Sequence, residues 1–140
     1  MLNRLFFKSL LIVAVSMSMI PNFVQADEAI LRVECRKGSD RGCTAHGPAC
    51  YQAPAGKYIK SGTLSKVGQV VNFWSKQPRC LAAETTSSIP YTFPGTDIIA
   101  SLDTGFCATL HIESGSGFSN LGKVAFVNCK YTFELGDIPD

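Results

Sequence analysis

The sequence predicts an all-β fold: a small, disulfide-stabilised antiparallel β-sandwich or barrel. Three observations carry this. Beyond residue 26 no sustained apolar stripe recurs at helical spacing, whereas short alternating runs recur between turn-forming residues. Most connections are too short for the crossovers that parallel strands need. Six cysteines in so short a chain fit a cross-linked exported module.

The first 26 residues read as a secretory signal. Arg4 and Lys8 supply a positive start, Leu10 to Ile20 an apolar run, and Pro21 a break before Val24-Gln25-Ala26. The run falls short of the roughly 20 residues that span a bilayer. Cleavage after Ala26 leaves 140 − 26 = 114 residues, 27–140, one domain by length. The basic leader fits a bacterial exported protein, secreted or periplasmic. No membrane span is expected in the mature chain.

The elements follow in order. Ala29 to Cys35 has the branched, partly alternating content of a strand. Arg36 to Ala55 is rich in Gly, Pro and Cys and poor in bulky apolar side chains, which predicts a loop. Tyr58-Ile59-Lys60 and Gln69 to Trp74 read as two strands about a Ser/Gly/Lys turn. Thr85 to Gly95 carries two prolines and predicts an edge or irregular connection. Ile98 to Leu102 is a short strand. Phe106 to Glu113 alternates as a half-buried strand, Gly115 to Asn120 is a turn, and Val124 to Leu135 is a long last strand. Gly136 to Asp140 is a tail.

Two segments align with one gap: Tyr58 to Val71 (YIKSGTLSKVGQVV) and His111 to Ala125 (HIESGSGFSNLGKVA). They predict two related hairpins, and with them a disulfide pattern. Cys107 and Cys129 flank the second turn, Cys50 and Cys80 the first, which leaves Cys35 with Cys43. The expected pairs are therefore Cys35–Cys43, Cys50–Cys80 and Cys107–Cys129. Each closed loop is worth roughly 2.5–4 kcal/mol on the chain-entropy view.

Charge restricts the function classes. Charged residues are 17% and hydrophobic ones 46%, which excludes wholesale disorder. The leader removes two of 13 basic residues and none of 11 acidic ones, so the mature net charge is 11 − 11 = 0. Nucleic-acid binding is not expected without net basicity. Residues 27–80 carry 9 − 4 = +5 and residues 81–140 carry 2 − 7 = −5. Such a dipole can orient on a charged partner.

Chemistry-bearing residues are few. The cysteine spacings lack the close pairs of zinc ribbons, so no metal and no cofactor are expected. The only histidines are His46, in the cysteine-rich stretch, and His111, on an alternating strand with Glu113 two residues on. His111 and Glu113 as same-face neighbours, or His46 in its loop, are candidates for acid–base chemistry in a secreted hydrolase such as a nuclease, with Arg79 or Arg41 holding a phosphate. Ser114 and Ser116 lack a nucleophile-elbow motif. Asp97 and Asp103 carry no glycosidase signature.

Aromatic surface is the better clue. Phe73 and Trp74 are adjacent, and two side chains in succession on a strand face opposite ways. Trp74 precedes Ser75-Lys76-Gln77-Pro78-Arg79, a polar segment with two cations. Tyr51 and Tyr58 flank the Pro54-Ala55-Gly56 turn as a second patch. The expected function is an exported binding module that recognises a cell-surface glycan, an envelope polymer or a protein partner, with Trp74, Lys76, Arg79, Tyr51 and Tyr58 as ligand-binding candidates. The alternatives are the small hydrolase, an inhibitor of a secreted enzyme, and a self-assembling surface component.

Overall fold

The computed structural model describes residues 26–139. The expected signal segment lies outside the described residues except for Ala26. Among these residues the fold is all-β: β1 (Asp27–Arg36), β2 (Thr44–Gln52), β3 (Lys57–Ile59), β4 (Ser65–Val71), β5 (Ser75–Cys80), β6 (Glu84–Thr92), β7 (Ile99–Ser114), β8 (Val124–Phe133) and β9 (Leu135–Asp137). They form two antiparallel sheets packed as a sandwich. One has the order β1-β8-β4. The other is built on β7, which pairs with β2 and β3 as well as with β5 and β6, while β9 lies outside β3.

The length of β7 explains this layout. Cys107 has Cys50 of β2 and Glu84 of β6 as its register partners, and His111 has His46 of β2 and Arg79 of β5. Asp103 has Ile59 of β3 and Ser88 of β6. One strand is thus walled along each edge by two shorter strands in succession. Its alternation sorts the side chains: Phe106, Ala108, Leu110 and Ile112 face the core, while Cys107, Thr109, His111 and Glu113 face outward.

The opposing wall comes mainly from β1 and β8. Ala125, Val127, Cys129, Tyr131 and Phe133 alternate inward along β8, joined by Ala29 and Leu31. The rings of Phe106, Tyr131, Phe133 and Tyr51 meet with centroids 4.8–5.7 Å apart. Burying such side chains contributes roughly 1.5–3 kcal/mol each.

The fold class is the expected one, but several elements differ. Residues 36–55 hold the strand β2, not a continuous loop. Its core-facing positions are Ala45, Gly47, Ala49 and Tyr51, mostly too small to register as an apolar pattern. Pro48 is accommodated because β2 is an edge strand of its sheet. The polar stretch Ser75–Arg79 is also a strand, β5, while Phe73 and Trp74 lie at the turn between β4 and β5. Ile98 to Leu102 and Phe106 to Glu113 merge into one 16-residue strand, β7. Leu135 to Asp137 forms β9 in place of the start of a free tail.

The two similar segments are not hairpins. β3 and β7 lie in one sheet, β4 and β8 in the other, so each segment arches across the sandwich. That corrects the disulfides. Cys35–Cys43 forms as expected, but the others are Cys50–Cys107 and Cys80–Cys129. Cys50 and Cys107 are direct register partners on β2 and β7, with Cα atoms 4.0 Å apart. Cys107 cannot reach Cys129 because its side chain points out of the β7 sheet, away from the core into which Cys129 points.

Candidate functional site

The turn Asn72–Trp74 carries the chain from one sheet to the other at one end of the sandwich. It is pinned to the start of β8: the Val124 carbonyl accepts from Asn72 Nδ2 at 2.7 Å and from Trp74 Nε1 at 3.1 Å. Trp74 thereby packs against the core, with Lys123 Nζ 5.2 Å from its ring centroid. Phe73 meets Trp74 edge-on at 4.8 Å and is itself 89% exposed.

A cleft of about 300 Å³ opens beside these rings, lined by Lys37, Phe73, Trp74, Lys76, the Ser114–Ser116 segment, Ser119 and Asn120. Its loops are tied together. Lys37 N donates to Lys123 O at 2.9 Å and Gly122 N to Lys37 O at 2.7 Å. Cys43 and Ser114 exchange backbone and hydroxyl hydrogen bonds, both at 2.9 Å. The Cys35–Cys43 disulfide closes the same corner. Lys37 is only 3% exposed, and its ammonium donates to Ser119 O at 2.7 Å. An ammonium has three donors, and this is its one hydrogen bond among the described residues. The cleft was not legible in the sequence, because Lys37 and Ser119 are 82 positions apart.

A second cluster lies on the outer face of the β7 sheet. Register places His46 and Arg79 on either side of His111, and Thr44 and Lys76 on either side of Glu113. Lys76 and Arg79 are three residues apart, so regular pleating would turn them to opposite faces. A bulge between them, with Gln77 at a φ of 55°, turns both outward. His111 Nε2 lies 2.7 Å from Glu113 Oε2, and the two histidines meet Nδ1 to Nδ1 at 3.2 Å. An ionised carboxylate only accepts, so His111 Nε2 carries a proton. A neutral His111 then accepts at Nδ1, His46 Nδ1 donates, and His46 Nε2 remains an acceptor without a partner among the described residues. His111 is 8% exposed, whereas His46 is open to solvent. Lys76 links the two regions, since it lines the cleft and pairs in register with Glu113.

Other expected residues fall elsewhere. Tyr51 stacks on Phe106 and Phe133 near the far end of β2, and Tyr58 packs closely over Gly136. The structure therefore does not bring these tyrosines to Trp74. Arg41 lies in the loop before β2 and Asp97 in the turn before β7, while Asp103 lies towards the far end of β7. Ser114 and Ser116 line the cleft without a histidine partner. Among the described residues no cluster of three metal-ligating side chains is present, and no helix is long and apolar enough to cross a membrane.

Comparison with protein-family models, curated proteins and solved structures finds no match. The three disulfides and the small β-sandwich fit an extracellular module in an oxidising environment.

Proposed function

We propose that this is an exported binding module, secreted or periplasmic, which recognises an anionic glycan or envelope polymer through the cleft beside Trp74. The observation that supports this most is the buried Lys37 ammonium. A charge taken out of water needs partners, and Lys37 has donors to spare on a cleft lined by hydroxyl and amide side chains. Phe73 offers an exposed ring on which a sugar face can stack, and Lys76 adds a second cation. Rigid loops on a β scaffold suit recognition.

The hydrolase alternative has less support. His111 is covered and its Nδ1 is occupied by His46, so the pair offers one free nitrogen and not an acid and a base on two sides of a substrate.

The test is binding of the oxidised protein to matched anionic and neutral polysaccharides. Anionic polymers bind preferentially, and binding weakens with salt. Phe73→Ala and Lys37→Met each weaken it about tenfold or more, as expected of a central contact. Equal binding to neutral polymers, or unchanged affinity in Phe73→Ala, would reject the cleft.

A further inference from the structure

We propose that the outer face of β2, β7 and β5 around His46 is a second ligand site, which takes a sulfate or phosphate ester group and binds a proton along with it. It rests on the proposed recognition of an anionic polymer only for the source of that group.

The geometry supplies three elements. The bulge in β5 sets Lys76 and Arg79 on one face, beside Glu113 and His111, and among the described residues neither cation forms an ion pair. Glu113 is committed to His111. His46 Nε2 is left as an acceptor at the solvent end of the chain Glu113–His111–His46.

With both imidazoles neutral, Lys76, Arg79 and Glu113 give the cluster +1 + 1 − 1 = +1. A sulfate or phosphate ester oxygen meets a lone pair at His46 Nε2, which is repulsive. A proton on Nε2 converts that acceptor into a donor and raises the cluster to +2. The chain can share the charge: His46 can pass its Nδ1 proton to His111 Nδ1, and His111 its Nε2 proton to Glu113. The bound anion favours the protonated state, so by linkage the protonated state favours the anion.

The charged groups on the surrounding elements include Glu84 of β6, opposite Cys107 on the same outer face, and Asp40 and Arg41 in the loop that leads into β2. Glu113 comes from β7, and Lys76 and Arg79 come from β5. From β1, which packs beside β2, Arg32 pairs with Glu34, Glu28 with Lys130, and Arg36 with the Gly122 carbonyl. Asp27 lies at the far end of β1, opposite Phe133. Direct contact between the histidines, at 3.2 Å, leaves no gap for a reacting group, which favours binding over turnover.

The experiment is calorimetric titration of the oxidised protein with inorganic sulfate, whose charge stays fixed across the range used. Because binding takes up one proton, sulfate binds about tenfold more tightly at pH 5.5 than at pH 7.5. Addition of sulfate shifts the His46 ring resonances. His46→Gln removes the pH dependence, and Arg79→Gln weakens binding at both pH values. Phe73→Ala leaves sulfate binding unchanged, so failure of the cleft and failure of this site are separable. Parallel titrations with a sulfated oligosaccharide and a glycerol-phosphate oligomer identify the natural source as the tighter ligand.

Absent sulfate binding, affinity that does not change with pH, or a pH dependence that survives in His46→Gln overturns the proposal. His46-dependent cleavage of a ribonucleotide substrate would replace binding with catalysis and overturn it as well.

Discussion

Cys80 and Cys129 lie in different sheets, and their disulfide joins β5 to β8 through the core. Both residues are buried, and the loop they close spans 49 positions. Cys35–Cys43, in contrast, closes only eight. Replacing Cys80 and Cys129 by Ala and Val therefore destabilises the protein by about 4 kcal/mol, against about 2.5 kcal/mol for Cys35→Ser with Cys43→Ser. Urea unfolding measures the difference. A non-reducing digest yields one fragment pair containing Cys80 and Cys129; a pair joining Cys50 to Cys80 would refute the assignment.

Tyr131 is fully buried in the same region, and its hydroxyl donates to the Leu81 carbonyl at 2.7 Å. Tyr131→Phe costs about 1 kcal/mol at neutral pH. Burial raises the Tyr131 phenol above its ordinary value of 10.0. The sign follows: the unfolded chain ionises first, so stability held below pH 10.0 is lost as pH rises through the folded value. Tyr51 adds to this loss, raised first by burial and then by the Asp27 charge. Denaturation in alkaline buffer should show a shallower decline for Tyr131→Phe than for the wild type.

Two glycines on β7 and its following loop separate packing from site effects. A Cβ at Gly105 would meet Ser87 Oγ at 2.5 Å, Gln52 Oε1 at 2.7 Å and the Tyr51 carbonyl at 2.9 Å. The last is backbone and cannot swing aside, so Gly105→Ala costs about 1–3 kcal/mol. At Gly115 the Cβ would meet only the Lys76 stem, 3.0 Å away at Cε. Gly115→Ala leaves the thermal midpoint almost unchanged but displaces Lys76 and weakens ligand binding. A large loss of stability in Gly115→Ala would contradict this placement.

Phe106 and Phe73 are the extremes of aromatic burial, at 0% and 89% exposure. Phe106→Ala opens a cavity where three aromatic rings converge and costs about 3–5 kcal/mol. Phe73→Ala stays within about 0.5 kcal/mol of wild type, as surface substitutions do. Chemical denaturation of the two variants checks both values, and Phe73→Ala is accordingly a clean variant for binding assays.

Legibility in the sequence tracked side-chain size. β1, β8 and the core-facing half of β7 alternate bulky apolar with polar residues, and all were legible. β2 was not, because Ala45, Gly47 and Ala49 bury little surface and the strand is held by pairing to β7 and by Cys50–Cys107. β5 was not, because its outward cations hide the single buried side chain, Cys80. His111 with Glu113 was visible as a same-face pair. His46 could not be placed with them, since no local pattern encodes a register between residues 65 positions apart.

By itself the sequence determined what short-range chemistry controls: strands in place of helices, antiparallel connections and cysteines enough for three cross-links. The tertiary structure decided which strands share a sheet, because that depends on burying two faces against one another across the whole chain. Everything downstream of sheet membership followed from it. The Ser/Gly segments became arches, two of the three disulfides changed partners, and a histidine pair with two cations assembled on one face while Lys37 was buried at a cleft.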